Sequence, residues 1–142
     1  MSWYAAHIIM TVKLKSGAQR RFPVWENIVL FSAKSEREAI AKAEEHGRLE
    51  EGDEDESFTW GDRPATWVFA GVRKVTECVA FGDSPGDGME VSYNELELDS
   101  REAVRRLAAG EPTAVRYNDR FRPAGPTKQS LGASAVRKKK HA

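Results

Sequence analysis

The sequence predicts an α+β fold in two layers, an antiparallel sheet of about four to five strands with one or two helices on one face. Three observations support this prediction: apolar alternation over residues 3–15, a helix-capping pattern at Ser35 and a dense apolar run over residues 65–81. The chain has 142 residues, of which 40% are hydrophobic, enough for a single core. We therefore expect one domain over residues 1–117 and a basic, disordered tail over residues 118–142, with the elements in the order ββα(β)ββα.

The first segment, from Trp3 to Lys15, places alternate residues on two faces. An apolar face beside a mixed face is typical of an antiparallel strand. Residues 20–33 are predicted to return as the second strand, and Pro23 favours an edge position or a bulge because proline cannot donate to a ladder. The apolar residues 28–31 are expected to be buried. The apolar face of the first strand consists of Tyr4, Ala6, Ile8, Met10, Val12 and Leu14.

A capping box marks the start of the first helix. Ser35 can accept a hydrogen bond from the amide of Glu38, whose side chain can reach back to the amide of the capping residue. The predicted helix covers residues 36–46 and ends at Gly47 in the left-handed region. Its small apolar residues allow a close approach to the sheet.

The remaining predicted elements follow from apolar density, capping spacing and loop composition. Residues 65–81 are dense enough in apolar side chains for a central strand. The others are a short strand at Phe58 and Trp60, a strand at residues 89–98, a helix capped by Asp99 or Ser100 and ended by Gly110, and a short strand at residues 113–117.

Several short motifs lie in these elements: Trp3-Tyr4-Ala5-Ala6 in the first strand, Ala33 and Glu38-Ala39 around the first helix, Trp67-Val68-Phe69-Ala70-Gly71-Val72 in the third main strand, and Glu90-Val91. Together they resemble a small bacterial family, domain of unknown function 4288, over about residues 3–95. The resemblance implies a compact α+β unit in a bacterial protein. It implies no activity and no catalytic residue.

The formal net charge is zero, with 22 basic and 22 acidic side chains, so a uniformly basic nucleic-acid binder is excluded. This zero net charge includes two segments of opposite charge. Residues 36–62 carry eleven acidic and three basic side chains, whereas residues 116–142 carry eight basic and one acidic. We expect the acidic loop and Trp60 to meet a basic partner protein, and the tail is the alternative site, where cations would meet nucleic-acid phosphates. The predicted contact residues are Glu50, Glu51, Asp53, Glu54, Asp55, Glu56 and Trp60 for the loop, and Arg137, Lys138, Lys139 and Lys140 for the tail.

No pattern of catalytic residues or metal ligands stands out in the sequence. The histidines are isolated from one another and from Cys78, so no zinc pattern is formed, and no cofactor is expected. A third and weaker hypothesis is an enzyme site assembled in space, with candidates on different strands. These candidates are His7, Arg73, Glu77 and Tyr93.

The single cysteine cannot form an intrachain disulfide, which favours the cytoplasm, and no apolar run approaches the about 20 residues that span a bilayer. We therefore expect a non-catalytic protein-binding or regulatory module of the bacterial cytoplasm, for which an inhibitor or immunity-like role would fit. Self-association through a sheet edge is a further expectation. Two simpler alternatives are that the acidic loop is only solvated, or that the basic tail folds back onto it.

Overall fold

The computed structural model describes residues 1–53, 55–78 and 84–119, and it confirms the predicted α+β class. A four-stranded antiparallel sheet has the order β2-β1-β4-β3, and a separate two-stranded ladder joins β5 to β6. The elements are β1 (Ser2–Leu14), β2 (Val24–Ala33), α1 (Glu36–Leu49), β3 (Thr59–Trp60), β4 (Arg63–Glu77), β5 (Leu96–Glu97), α2 (Arg101–Ala108) and β6 (Arg116–Tyr117).

Strand β1 lies at the centre of the sheet, and both of its faces are covered. On the apolar face, Ile8 and Met10 are buried against Ala39 and Ala43 of α1. These alanines present only methyl groups, so the helix can lie close to the sheet, as the sequence predicts. On the opposite face, His7 is fully buried as well, which one alternating strand does not reveal.

Two irregularities interrupt the pairing of β1 with β4. The register shifts between His7 and Ile8, and again between Ile9 and Met10. At the first shift His7 pairs with Lys74 while Ile8 pairs with Val72, so Arg73 is an extra residue in its strand. Such a bulge redirects side chains, and the neighbours Arg73 and Lys74 consequently reach the same carboxylate.

Helix α1 begins as predicted and ends later than predicted. The Ser35 hydroxyl accepts the amide of Glu38 at 3.1 Å, as predicted, whereas the Glu38 carboxylate accepts the amide of Lys34 at 3.3 Å rather than that of the capping residue. The expected stop at Gly47 is wrong, because this glycine is buried inside a helix that continues to Leu49. Its role is a close approach, since a Cβ there would overlap the ring of Phe69.

Three other expectations for the strands are corrected. Strand β2 starts at Val24 rather than at residue 20, and it is an edge strand in which Ile28 is 48% exposed, so the expected burial of residues 28–31 is incomplete. The expected strand at residues 89–98 is reduced to Leu96–Glu97, which pairs with β6 instead of joining the main sheet. The segment around Ser92 contacts the sheet through side chains instead.

The acidic loop, residues 50–56, covers one edge of the sheet. Gly52 exchanges backbone hydrogen bonds of 3.0 and 3.2 Å with Trp67 of β4. Two residues further along the strand, the amide of Phe69 donates to the carboxylate of Glu51 at 2.9 Å. Because the loop satisfies the outward amides of β4, it protects that edge of the sheet as a further strand would.

Candidate functional site

A groove of about 630 Å³ opens where the end of α1, the acidic loop and the sheet meet. Strands β1, β2 and β4 supply its floor, and the acidic loop supplies much of its rim. The groove therefore brings four predicted carboxylates together with aromatic rings from distant parts of the chain. These lining residues are Glu50, Glu51, Asp53, Asp55, Trp25, Phe58 and Trp67.

The aromatic rings form a continuous surface. Trp67 meets Trp25 edge to face with centroids 4.7 Å apart, and it meets Phe58 with centroids 5.0 Å apart. Trp25 remains 39% exposed and Leu49, at the end of α1, is 76% exposed. A partner can therefore touch rings that the fold already holds in place.

Two of the acidic-loop carboxylates form hydrogen bonds that hold the loop in place. The Asp53 side chain is only 4% exposed, and its oxygens accept from the Lys15 ammonium at 2.8 Å and from the Phe58 amide at 3.0 Å. The hydrogen bond from Lys15 holds the pKa of Asp53 below its usual value. Glu51 is bound to the amide of Phe69. Both residues shape the loop through these bonds, and of the two only Glu51 is exposed.

The other predicted contact residues have different positions. Glu50 lies at the groove with a carboxylate oxygen 3.1 Å from His46 Nε2, and Asp55 lines the groove as an exposed residue. Glu56 adopts a left-handed backbone with φ of 57°. Trp60 is half-buried against Val12 and Leu14 and is not among the groove-lining residues. Glu54 and the tail cations Arg137, Lys138, Lys139 and Lys140 lie outside the described residues.

A second polar cluster lies on the opposite face of the sheet, around His7. Its Nδ1 is 2.6 Å from a carboxylate oxygen of Glu26, and its Nε2 contacts the hydroxyl of Ser92, which is 3.2 Å from the hydroxyl of Thr76. The carboxylate fixes the tautomer with the proton on Nδ1, so Nε2 accepts from Ser92. Both ring nitrogens are thus used within the fold.

Electrostatics keeps His7 neutral. Burial lowers its pKa, and the nearby charges of Lys74 and Arg73 lower it further, against the opposing effect of Glu26. Burial alone would raise the pKa of Glu26, but hydrogen bonds from His7 and from the Tyr117 hydroxyl, at 2.9 Å, lower it below its usual value. A neutral imidazole beside a carboxylate is therefore the stable pairing here.

The network continues through Asp119. Its carboxylate accepts from Arg73 at 2.6 Å and from Lys74, whose ammonium also donates to the carbonyl of Tyr93. Burial would raise the pKa of Asp119, but these two cations lower it to about 2. The Arg73 guanidinium also stacks 4.0 Å from the ring of Tyr117. The last described residue of the chain is thus fixed to the centre of the sheet.

These contacts bear on the enzyme hypothesis. His7, Arg73 and Tyr93 do lie together, but Glu77 lies elsewhere, opposite Tyr4 in the ladder. The imidazole of His7 has no exposed surface and two partners already, so it has no free nitrogen to take a proton from a substrate. This geometry favours a structural role for the network, in which side chains dock the two ends of the segment 92–119 on the sheet.

The sequence favoured Trp60 as the exposed contact and allowed Trp3 or Trp25 to line a groove. In the structure Trp25 and Trp67 line it, and only the three-dimensional pairing of β2 with β1 brings Trp25 beside the loop. Asp119 was assigned to the tail. It is the one acidic residue among three arginines in residues 116–122, and this isolation is the one signal that it could pair with cations elsewhere in the fold.

Within the described residues, no helix is long and apolar enough to cross a membrane, and no group of three side chains could hold a metal ion. Cys78 is buried, and its thiol donates a hydrogen bond to the carbonyl of Val91 at 3.2 Å.

A family model described as Domain of unknown function (DUF4288) matches residues 3–92, well over half of the chain. The match includes the groove and the His7, Glu26 and Ser92 part of the polar network, whereas Tyr117 and Asp119 lie beyond it. No curated protein and no solved structure gives a significant match.

Proposed function

The chain belongs to the DUF4288 family of domains of unknown function, and we propose that it is a binding module whose groove takes up a basic segment of a partner protein. The observation that carries this proposal is the exposed Trp25 ring in the same groove as the carboxylates of Glu50 and Asp55. An aromatic ring and a carboxylate each attract a cation, and together they favour an arginine or lysine side chain.

The groove is open to solvent along its rim, which leaves room for a peptide segment. The exposed Leu49 extends the apolar surface to the end of α1, where it can contact the aliphatic part of a long cationic side chain. Glu50 and Asp55 would contribute attraction and partner selection, and the rings would contribute most of the contact area. Binding should therefore weaken with salt without vanishing.

The test measures binding of a fluorescein-labelled arginine–glycine repeat peptide by anisotropy at low and at physiological salt. The double variant Glu50→Gln/Asp55→Asn should weaken binding roughly fivefold to thirtyfold, because two exposed charges are worth about 0.5–1 kcal/mol each. The Trp25→Ala variant should weaken it about tenfold or more, as for an aromatic hot spot.

A matched control removes two carboxylates away from the groove, in the double variant Glu102→Gln/Glu111→Gln, which should bind the peptide as the unchanged protein does. Equal weakening in both double variants would mean that only the net charge matters, and it would contradict the groove. A single-stranded oligonucleotide that binds more tightly than the peptide, with no effect of Trp25→Ala, would instead support the nucleic-acid alternative.

A further inference from the structure

The two edges of the main sheet are treated differently by the fold. At one edge, β3 and the acidic loop satisfy outward amides of β4. At the other edge lies β2, and within the described residues no strand pairs with its outer side. Folded proteins usually protect such an edge, since it offers a row of unpaired backbone groups.

The register shows which backbone groups point outwards. Trp3 accepts the amide of Cys78 through its carbonyl, so its backbone groups face β4 and its partner Ser32 faces away from β1. Alternate residues share this direction, which places Glu26, Ile28 and Leu30 with their amides towards the outside. At the end of this row, the Lys42 ammonium binds the carbonyl of Ser32 at 2.6 Å.

The composition of β2 does not protect the edge. The strand is ten residues long and pairs with β1 without a register shift. Its single charged residue, Glu26, directs its carboxylate to His7 and Tyr117. Apolar side chains remain exposed along the edge and just before it. They are Phe22 at 67%, Val24 at 59% and Ile28 at 48%.

We infer that this edge is an interface between two copies of the chain, joined by antiparallel pairing of β2 with β2. A two-fold axis through Ile28 would place Glu26 opposite Leu30 of the other copy and would join the two sheets into one. The pairing is self-complementary because Glu26, the single charged residue of β2, lies opposite an apolar side chain, so no like charges meet. A basic segment gains nothing from an edge whose only carboxylate is turned inwards.

The edge and the proposed groove are separate surfaces of β2. Glu26 and Ile28 have their side chains on the His7 face, whereas Trp25 and Asn27 face the groove. Pairing of two copies at the edge therefore leaves the aromatic surface open, and the dimer would carry two grooves.

The first measurement is the mass of the full chain by light scattering and sedimentation across a wide concentration range. We expect a reversible monomer–dimer equilibrium. Amide hydrogen exchange then locates the contact: Glu26, Ile28 and Leu30 should exchange more slowly as concentration rises, while Asn27 and Val29, bonded to β1, should not change.

The variants Ile28→Lys and Val24→Lys should each shift the equilibrium to monomer, weakening dimerisation at least tenfold. The control Val104→Lys adds the same charge at an exposed position of α2 and should leave the dimer intact. Unfolding midpoints measured on dilute samples show whether each variant is folded. A monomer at every concentration would overturn the inference, and so would slow exchange at these amides that is independent of concentration, which would assign the edge to another part of the same chain.

Discussion

At the scale of single residues, His7 joins three parts of the chain through its imidazole ring. It lies on the mixed face of β1, and the fold removes it from water completely. A buried imidazole needs a partner for each nitrogen, and Glu26 and Ser92 provide them from β2 and from the segment that covers the sheet. Three distant parts of the chain thereby meet at one ring.

Replacing His7 by alanine should lower the free energy of unfolding by about 2–4 kcal/mol, because it leaves a cavity and deprives Glu26 and Ser92 of their shared partner. The matched variant His46→Ala, near the exposed end of α1, should change stability by about 1 kcal/mol or less. Denaturant unfolding of both variants tests this difference. Equal effects would show that the polar network adds no stability.

The acidic loop also separates into individual roles at this scale. In the sequence, the six carboxylates among the seven residues 50–56 indicate a single charged surface. In the fold, Glu51 and Asp53 hold the loop on β4 and Lys15, while Glu50 and Asp55 remain at the rim of the groove. Composition predicts the charge of a loop, but the assignment of each carboxylate depends on strands that lie far away in sequence.

At the scale of elements, capping patterns and apolar alternation predicted the helix starts and the central strand. The capping hydrogen bonds at Ser35 and Ser100 are present, and β1 has the predicted alternation. The errors arose where tertiary contacts decide. Gly47 looked like a helix stop, yet the nearby ring of Phe69 accounts for the glycine. Residues 89–98 look like a strand because apolar and polar residues alternate there, but only Leu96–Glu97 forms one. The rest of the segment contacts the sheet through the Ser92 hydroxyl and through backbone carbonyls.

The variant Gly47→Ala tests which role this glycine has. In an exposed helix position, alanine in place of glycine would stabilise by about 1 kcal/mol. Here the added methyl group overlaps the Phe69 ring, and we expect a net destabilisation of about 1–3 kcal/mol from overpacking. Thermal or denaturant unfolding measures the sign.

The converse variant Ala41→Gly, at an exposed position of the same helix, serves as the reference for propensity alone. It should destabilise by about 0.5–1 kcal/mol. A stabilised Gly47→Ala protein, with this reference behaving as expected, would show that the contact between α1 and β4 is looser than the structure indicates.

At the scale of the whole molecule, the sheet separates two kinds of chemistry. One face carries α1, the apolar core and the groove, and the other carries the polar network that docks residues 92–119. Asn118 also binds the backbone of Glu95 at 2.8 Å, so the docked part includes residues that composition assigns to the tail. The sequence did not indicate that residues 92–119 cover the other face of the sheet, nor that Arg73 and Lys74 lie beneath them, because alternation describes one strand at a time.

The network should make the stability of the molecule depend on pH in two stages. The pKa of His7 is lower in the folded state than its usual value, so its stabilisation is complete above about pH 6.5 and is lost as the pH falls below that value. The pKa of Asp119 is lowered from 3.8 to about 2, so its contribution is complete above about pH 4 and is lost as the pH falls towards 2. Glu26, whose pKa is also lowered, acts in the same acidic range.

Two variants separate these stages in urea unfolding measured from neutral to acidic pH. His7→Gln keeps hydrogen-bonding groups without titrating, so it should remove the loss of stability that begins as the pH falls below about 6.5 and leave the acidic stage. Asp119→Asn leaves Lys74 buried without its charge partner and should lower stability by about 3 kcal/mol at neutral pH, with a flatter acidic stage. The control Asp55→Asn changes an exposed carboxylate and should keep both stages. If Asp119→Asn unfolds like the control, the charges of the network do not hold residues 92–119 on the sheet. Apolar contacts would then have to explain how this segment is held.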